Sequence, residues 1–178
     1  MSLPSRRVKL RLHVRSSAAT SGFLQLGQLR VRCVVGRGGI RARKREGDGA
    51  TPSGRWRLVE VLWRQDRCRR PICQLPVRAI RPDDGWCDAP MDRNYNRPVR
   101  HPYPAGAEHL YRSDCLYDVV VALDHNARPR VRGRGSAIFI HVARPDWMPT
   151  EGCIAMKERD LRLLLSCVGR CALVAIDC

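Results

Sequence analysis

Two short apolar runs, at residues 117–123 and 136–142, must be buried in any fold that this chain adopts. Each run is nearly continuous in hydrophobicity, a pattern typical of strands that are covered on both faces. We therefore predict that both runs are central strands of a sheet. The second run contains a histidine near its end, His141, and a rigid central strand would hold this imidazole in a fixed position.

The rest of the hydrophobic pattern predicts further strands and a single substantial helix. Apolar and polar residues alternate over 8–14 and 28–35, which is the period of a half-buried strand. The clearest helical pattern covers 157–168, where four apolar residues fall on one stripe: Leu161, Leu164, Leu165 and Val168. Shorter strands are predicted at 56–63, 77–80 and 172–176. The chain is therefore expected to be mainly β.

No linker and no repeat of fixed period divides the sequence, so we expect one domain over residues 1–178. The glycine-rich residues 36–39 predict a hairpin turn. Residues 81–111 are irregular and contain many prolines, and loops of this length in compact domains tend to be functional or disordered. We interpret them as a long loop that forms a flap or wall beside the active site.

The charge balance is strongly basic, with 33 Lys and Arg residues against 17 Asp and Glu residues, a net charge of +16. A nucleic-acid binder would cluster this charge among stacking aromatics. Here the arginines are spread along the chain and 6% of the residues are aromatic, so no nucleic-acid partner is expected. Two explanations stay open: a positive field that attracts an acidic polymer, and a genome biased toward arginine codons.

Nine cysteines are many for one chain of this size, and three interpretations apply to them. Most are expected to be buried free thiols. Disulfides are the second interpretation. A metal site is the third, but neither Cys68 with Cys73 nor Cys167 with Cys171 has the spacing of a zinc knuckle. We therefore expect no metal and no cofactor.

One of the cysteines, Cys153, stands in a context that suits a nucleophile. Pro149 and Gly152 predict a turn directly before it, and the predicted helix begins shortly after it. A helix N-terminus and a nearby imidazole both favour the thiolate form of a cysteine. Gly152 also permits close backbone approach, so the amides of Gly152 and Cys153 are candidates for an oxyanion hole. The chain has neither a Gly-x-Ser-x-Gly nor a His-Glu-x-x-His motif, so neither a serine hydrolase nor a metalloprotease is indicated.

His141 and the turn Thr150-Glu151-Gly152-Cys153 resemble the signature of the L,D-transpeptidase catalytic domain family, which has the YkuD-type fold. Five further segments resemble one branch of the family: 47–54, 85–88, 95–97, 123–126 and 133–145. The resemblance covers residues 28–178 and implies a β-sandwich-like mixed sheet with one substantial helix after the nucleophile turn. The chain departs from the pattern in three ways. Glu151 stands where many members have His, Ala155 replaces a frequent Asn, and the spacer between His141 and Cys153 is short.

The resemblance implies that Cys153 is the nucleophile and His141 the general base. Thr150 is expected to orient His141 or to cap the turn. Glu151 is either a solvated carboxylate or a contact for the amine of the substrate. Further substrate contacts are expected from three residues: Arg144, which would bind a carboxylate through both guanidinium nitrogens, His125 and Trp86.

The implied substrate is a peptidoglycan tetrapeptide stem, whose terminal D-alanine leaves as Cys153 forms a thioester. An amine of a neighbouring stem then resolves the thioester in a transpeptidase. If water resolves it, the enzyme is an L,D-carboxypeptidase. A third hypothesis is a non-catalytic, arginine-rich cell-wall or nucleic-acid binding module.

Two features of the sequence bear on its location. No apolar run is long enough for a membrane span. This function is expected in the periplasm or cell envelope, whereas the sequence shows no apolar core of a signal peptide, which favours the cytoplasm as the alternative.

Overall fold

The computed structural model describes residues 9–14 and 16–177, so Val8, in the first predicted strand, lies outside the described residues. Fourteen strands and one helix make up the described chain. In chain order they are β1 (Lys9–Val14), β2 (Ser21–Leu26), β3 (Leu29–Val34), β4 (Ile40–Arg41), β5 (Thr51–Pro52), β6 (Gly54–Trp63), β7 (Val77–Ala79), β8 (Asp84–Cys87), β9 (Pro98–Arg100), β10 (Ala107–His109), β11 (Val119–Leu123), β12 (Phe139–Val142), β13 (Ile154–Met156), α1 (Glu158–Cys167) and β14 (Leu173–Ile176).

Nine of the strands form one mixed sheet in the order β11-β12-β13-β3-β2-β1-β14-β6-β7. Strand β11 also pairs with β6 in antiparallel register, so the sheet closes on itself. Strand β6 is ten residues long, which allows its first half to pair with β14 and its second half with β11 and β7. The prediction of a mainly β fold with one substantial helix is confirmed.

The two apolar runs are central strands, as predicted. All five residues of β11 and all four of β12 are buried. Their side chains alternate between two apolar clusters, since Val121 and Ile140 lie in the larger one and Val120 and Phe139 in the smaller one. The smaller cluster also contains Cys153. Strands β11 and β12 therefore lie between two apolar clusters: the larger one on one face and, on the other face, the smaller one, which contains Cys153.

The helix packs onto the larger cluster through the apolar stripe that predicted it. Leu161, Leu164 and Leu165 are buried there against strand residues such as Val121 and Ile140. Each leucine contributes on the order of 1.5–3 kcal/mol by leaving water. This stripe explains why a ten-residue helix is stable in a molecule that is otherwise β.

Two sequence interpretations need correction. Residues 81–111 contain three strands that pair in the order β10-β8-β9, a small sheet that packs on the smaller cluster through Trp86 and Leu110. These strands have only three or four residues, too few for alternation to be visible in the sequence. The glycines at 36–39 do not form a hairpin turn, because β3 pairs with β2 and β13 while β4 pairs with β5.

The described cysteines are all free thiols, so within residues 9–14 and 16–177 the sheet is held without disulfides. In the same part of the chain, α1 is the one helix, and neither its length nor its hydrophobicity would let it span a bilayer.

Candidate active site

Parallel pairing of β12 with β13 brings His141 and Cys153 to the same side of the sheet. Ala155 is the partner of His141 in this register, and Cys153 lies two residues before Ala155. Side chains two residues apart in an extended strand point to the same face. Accordingly, both His141 and Cys153 line one pocket of about 530 Å³. The imidazole and the thiol, twelve positions apart in sequence, therefore lie on the same face of the sheet and line the same pocket.

The turn before Cys153 has a conformation that requires glycine. Gly152 has a φ of +136°, and a Cβ atom there would lie 2.8 Å from the carbonyl oxygen of Ala50. Sequence reasoning missed the residue that fixes this turn, Thr51. The Thr51 hydroxyl donates to the Gly152 carbonyl at 2.9 Å and accepts from the amide of Gly36 at 2.8 Å. The Thr51 hydroxyl thus connects its own strand, β5, to the segments that contain Gly36 and Gly152.

Thr150 contacts the turn itself. Its hydroxyl donates to the Cys153 carbonyl at 2.6 Å and accepts a longer hydrogen bond of 3.2 Å from the amide of Gly152. Its backbone is bridged to Gly36. Of the two roles expected for Thr150, these contacts match the cap of the turn, since both of its hydroxyl hydrogen bonds remain within residues 150–153.

The thiol of Cys153 is mostly buried and held by two backbone groups. It donates to the Ala137 carbonyl at 3.3 Å and accepts from the amide of Phe139 at 3.4 Å. Burial raises the pKa of Cys153 to about 12, and the nearby Glu108 carboxyl adds to this increase. The Phe139 amide and Lys44 lower the pKa by less. The resting side chain is therefore a neutral thiol.

The imidazole of His141 is also neutral. Its Nδ1 lies 2.9 Å from the Val142 carbonyl oxygen, and a carbonyl can only accept, so Nδ1 bears the proton and Nε2 is the free base. Burial lowers the pKa of His141 to about 4, and the hydrogen bond to Val142 opposes this only in part. The Tyr117 ring packs edge-on against the imidazole at 5.3 Å between centroids. Both His141 and Cys153 are therefore neutral at rest.

The expected contribution of the helix to thiolate formation is wrong. Strand β13 separates Cys153 from α1, and three extended residues span about 10 Å. The electrostatic influence of a helix N-terminus falls off within its first turn. The sequence did not reveal this, because Ile154–Met156 is too short to be recognised as a strand.

Trp86 supports the site from beneath and does not line the pocket. Its ring packs edge-on against Phe139 at 5.2 Å, and its Nε1 donates to Oδ1 of Asn96 at 3.0 Å. The same Oδ1 accepts from the amide of Ala137 at 3.2 Å. Ala137 has a φ of +50°, which is unusual for a residue other than glycine, and its carbonyl accepts from the Cys153 thiol. Asn96, which sequence reasoning missed, therefore holds the segment to which the thiol is bonded.

The remaining predicted contacts lie in different places. Arg144 and Glu151 line the pocket as exposed side chains. Both carboxylate oxygens of Glu151 accept from Nε of Arg37, at 2.9 and 2.8 Å, so this residue forms a solvated ion pair. His125 does not line this pocket but borders a second cavity.

The pocket also presents charged groups that sequence reasoning did not identify. Besides Glu151, three carboxylates line it, Glu46, Asp88 and Glu108, together with the guanidinium of Arg112. Burial raises the pKa of Glu108, which accepts a hydrogen bond from the Tyr117 hydroxyl. These four charged residues lie 41 or more positions before Cys153, so no local spacing in the sequence indicated them.

Within the described part of the chain, no three His, Cys, Asp or Glu side chains are grouped so as to hold a metal ion.

Searches of curated proteins and of solved structures gave no match. A family model described as the L,D-transpeptidase catalytic domain, YkuD, matches residues 11–176. That match spans nearly the whole sequence and includes both His141 and Cys153. The chain therefore belongs to the L,D-transpeptidase catalytic domain family, whose members are cysteine-dependent enzymes with peptidoglycan as substrate.

Proposed function

We propose that the protein is a peptidoglycan L,D-transpeptidase with Cys153 as nucleophile and His141 as general base. The observation that supports this most strongly is the meeting of both side chains at one pocket, through the pairing of β12 with β13. The tautomer of His141 suits the role, since Nδ1 is bonded to a backbone carbonyl and Nε2 has a lone pair to accept a proton.

In the acylation step, Nε2 of His141 takes the thiol proton as Sγ of Cys153 attacks the carbonyl carbon at the L-centre of the diamino acid. The bond from this carbon to the nitrogen of the terminal D-alanine breaks, and His141 returns the proton to the departing amine. A thioester remains on Cys153. The amides of Gly152 and Cys153 are the proposed donors to the oxyanion, and the 3.2 Å bond from Gly152 to Thr150 is long enough to be exchanged.

In the second step, an amine of a neighbouring stem attacks the thioester carbonyl. His141 accepts the proton of this amine and passes it to the departing Sγ, which restores the thiol. Because both groups are neutral at rest, each step moves one proton between them and creates no lasting buried charge.

The charged walls of the pocket suit a substrate that bears both carboxylates and amines. We assign the exposed guanidinium of Arg144 to the stem carboxylates, because Arg112 is already bonded to both carboxylate oxygens of Asp114. Glu46, Asp88 and Glu108 line the same pocket as carboxylates and suit an ammonium group. Glu151, paired with Arg37 at the rim, would contact only the part of the substrate that leaves the pocket.

Incubation with a disaccharide-tetrapeptide, followed by mass spectrometry of the products, tests this function. A cross-linked dimer with released D-alanine is the expected result. A tripeptide without dimer would identify an L,D-carboxypeptidase instead. Cys153→Ala should lose turnover and keep substrate binding, whereas Cys115→Ala, which alters an exposed free thiol, should behave as the unaltered protein. Turnover that persists in Cys153→Ala would refute the assignment of the nucleophile.

A further inference from the structure

A second cavity, larger than the pocket at Cys153, lies beside Trp56 and His125. Its volume is about 850 Å³, within the range of small-molecule sites. Lys44 lines both cavities, and a Cβ on Gly135 would lie within 2.8–3.2 Å of Lys44 and His125. The two cavities therefore share Lys44 in their linings.

The lining of this cavity is dominated by arginine. Five arginines from four different segments border it: Arg43, Arg45, Arg55, Arg128 and Arg134. Its one carboxylate, Asp124, already accepts a hydrogen bond of 2.7 Å from the backbone amide of Arg57. Lys44 is paired with Asp48 and adds no free charge.

Within the part of the chain that the structure describes, the five guanidinium groups have no protein partner. Among residues 9–14 and 16–177, none of them forms an ion pair or a side-chain hydrogen bond. Some arginines elsewhere in the described chain pair with carboxylates, as Arg64 does with Asp66, whereas others, such as Arg69, form no ion pair; what distinguishes the five is that they border one cavity. Five like charges around one concavity repel one another, so a compact ligand with several negative charges would bind with little competition from the protein.

The floor of the cavity is apolar and already ordered. The ring of Trp56 packs edge-on against the imidazole of His125 at 4.6 Å, and Trp56 Nε1 donates to the Pro52 carbonyl. His125 is buried, and its Nε2 lies 2.9 Å from the Arg134 carbonyl oxygen. This bond fixes the backbone of one of the five arginines. The arginines thus stand on a rigid base, which lowers the cost of ordering them around a ligand.

We propose that this cavity binds a compact polyphosphate group, such as a diphosphate. Guanidinium forks match phosphate oxygens in pairs, and the density of positive charge suits a diphosphate better than a single carboxylate. The site involves His125, which was predicted to contact the substrate, but it is independent of the chemistry at Cys153.

The test is titration calorimetry with inorganic pyrophosphate in 150 mM salt, where diffuse surface attraction is screened beyond about 8 Å. One pyrophosphate per chain is expected. The double variant Arg43→Gln, Arg128→Gln should weaken binding by about tenfold for each arginine removed. The matched control Arg69→Gln, Arg93→Gln removes the same charge from exposed positions outside the cavity and should leave the affinity unchanged.

Three results would overturn the proposal. They are the absence of binding in a folded protein, equal weakening by both double variants, and binding of citrate as tight as that of pyrophosphate. Circular dichroism of each variant confirms that it is folded. Cys153→Ala should bind pyrophosphate as the unaltered protein does, so failure of this site and failure of the proposed enzyme activity give separate signals.

Discussion

At the scale of single residues, the site depends on backbone groups more than on charged partners. The proton on His141 is placed by the Val142 carbonyl, and the thiol of Cys153 lies between the Ala137 carbonyl and the Phe139 amide. None of these three partners has a side-chain function that a motif would show. For this reason the sequence could indicate His141 and Cys153, but not the backbone groups that hold their side chains in place.

Asn96→Ala should both destabilise the protein and slow its reaction. The substitution leaves Trp86 Nε1 and the Ala137 amide without their acceptor, and it removes the donor to the carbonyls of His125 and Asn126. With a buried unsatisfied group costing about 1–3 kcal/mol, we expect a loss of about 2–4 kcal/mol in the free energy of unfolding. Urea denaturation measures this loss.

A merely structural role for Asn96 would leave the reaction rate of the folded variant intact. We expect kcat for D-alanine release to fall while KM changes little, because Ala137 bonds the thiol and not the substrate. Asn94→Ala, two residues away, is the matched control and should keep kcat. Equal kcat values in Asn96→Ala and the unaltered protein would refute the positioning role.

The buried imidazole should make stability depend on pH. The folded pKa of His141, about 4, lies below the ordinary value of 6.5. Between these values the unfolded chain binds more protons, so the free energy of unfolding decreases as the pH falls from about 6.5 toward 4. The shift corresponds to at most about 3 kcal/mol. Urea denaturation from pH 4 to 8 should show a steeper pH dependence for the unaltered protein than for His141→Gln, and identical slopes would contradict this.

At the scale of elements, the turn at 150–153 is fixed by segments from distant parts of the sequence. Gly36, Thr51 and Gly152 meet through one hydroxyl, although more than a hundred positions separate the last two. The turn at 150–153 is thus held by Gly36 and by Thr51 of β5, and not by the helix. A short strand, β13, continues the turn into the sheet and sets the register with His141.

Gly152→Ala should destroy the geometry of this turn. A methyl group there would lie 2.8 Å from the Ala50 carbonyl oxygen and would force a φ of +136° on alanine. We expect a loss of about 2–4 kcal/mol and no detectable D-alanine release. Gly47→Ala is the control, because Gly47 also has a positive φ, +73°, but has no atom within 4 Å of the added Cβ. If both variants behaved alike, steric contact with Ala50 would not be the cause.

Length alone did not decide which elements were predictable: the short strands β7 and β14 were predicted, whereas the six-residue strand β2 and the strands within 81–111 were not. The runs at β11 and β12 and the stripe of α1 each contain enough apolar residues to show their period. The sheet β10-β8-β9 lies in a proline-rich segment and has strands of three or four residues, so its pairing depends on tertiary contacts. Glu108 and Asn96, both within or between these strands, were hidden for the same reason.

At the scale of the whole molecule, closure of the sheet joins the two ends of the chain. Strand β1 pairs with β14 in parallel, and β11 pairs with β6 to complete the ring. The nine-stranded sheet therefore combines strands from both ends and the middle of the described chain, whereas the small sheet β10-β8-β9 lies wholly within residues 84–109. The single domain expected from the sequence stays a prediction.

Unfolding should accordingly be one cooperative transition. We expect the urea midpoints from far-ultraviolet circular dichroism and tryptophan fluorescence to coincide.

Val121→Ala, in the fully buried strand β11, should lower the free energy of unfolding by about 2 kcal/mol. Val59→Ala, on an exposed face of β6, should change it by less than about 0.5 kcal/mol. Two separated transitions would show that the ring is not a single unit.

The central claim is that Sγ of Cys153 forms the acyl-enzyme with the help of His141. Intact-protein mass spectrometry after brief mixing with a disaccharide-tetrapeptide measures this directly. We predict an adduct equal to the donor without its terminal D-alanine, mapped by digestion to Cys153, absent in Cys153→Ala and formed much more slowly in His141→Gln. A folded protein that forms no adduct and no product, or an adduct that persists in Cys153→Ala, would contradict the account.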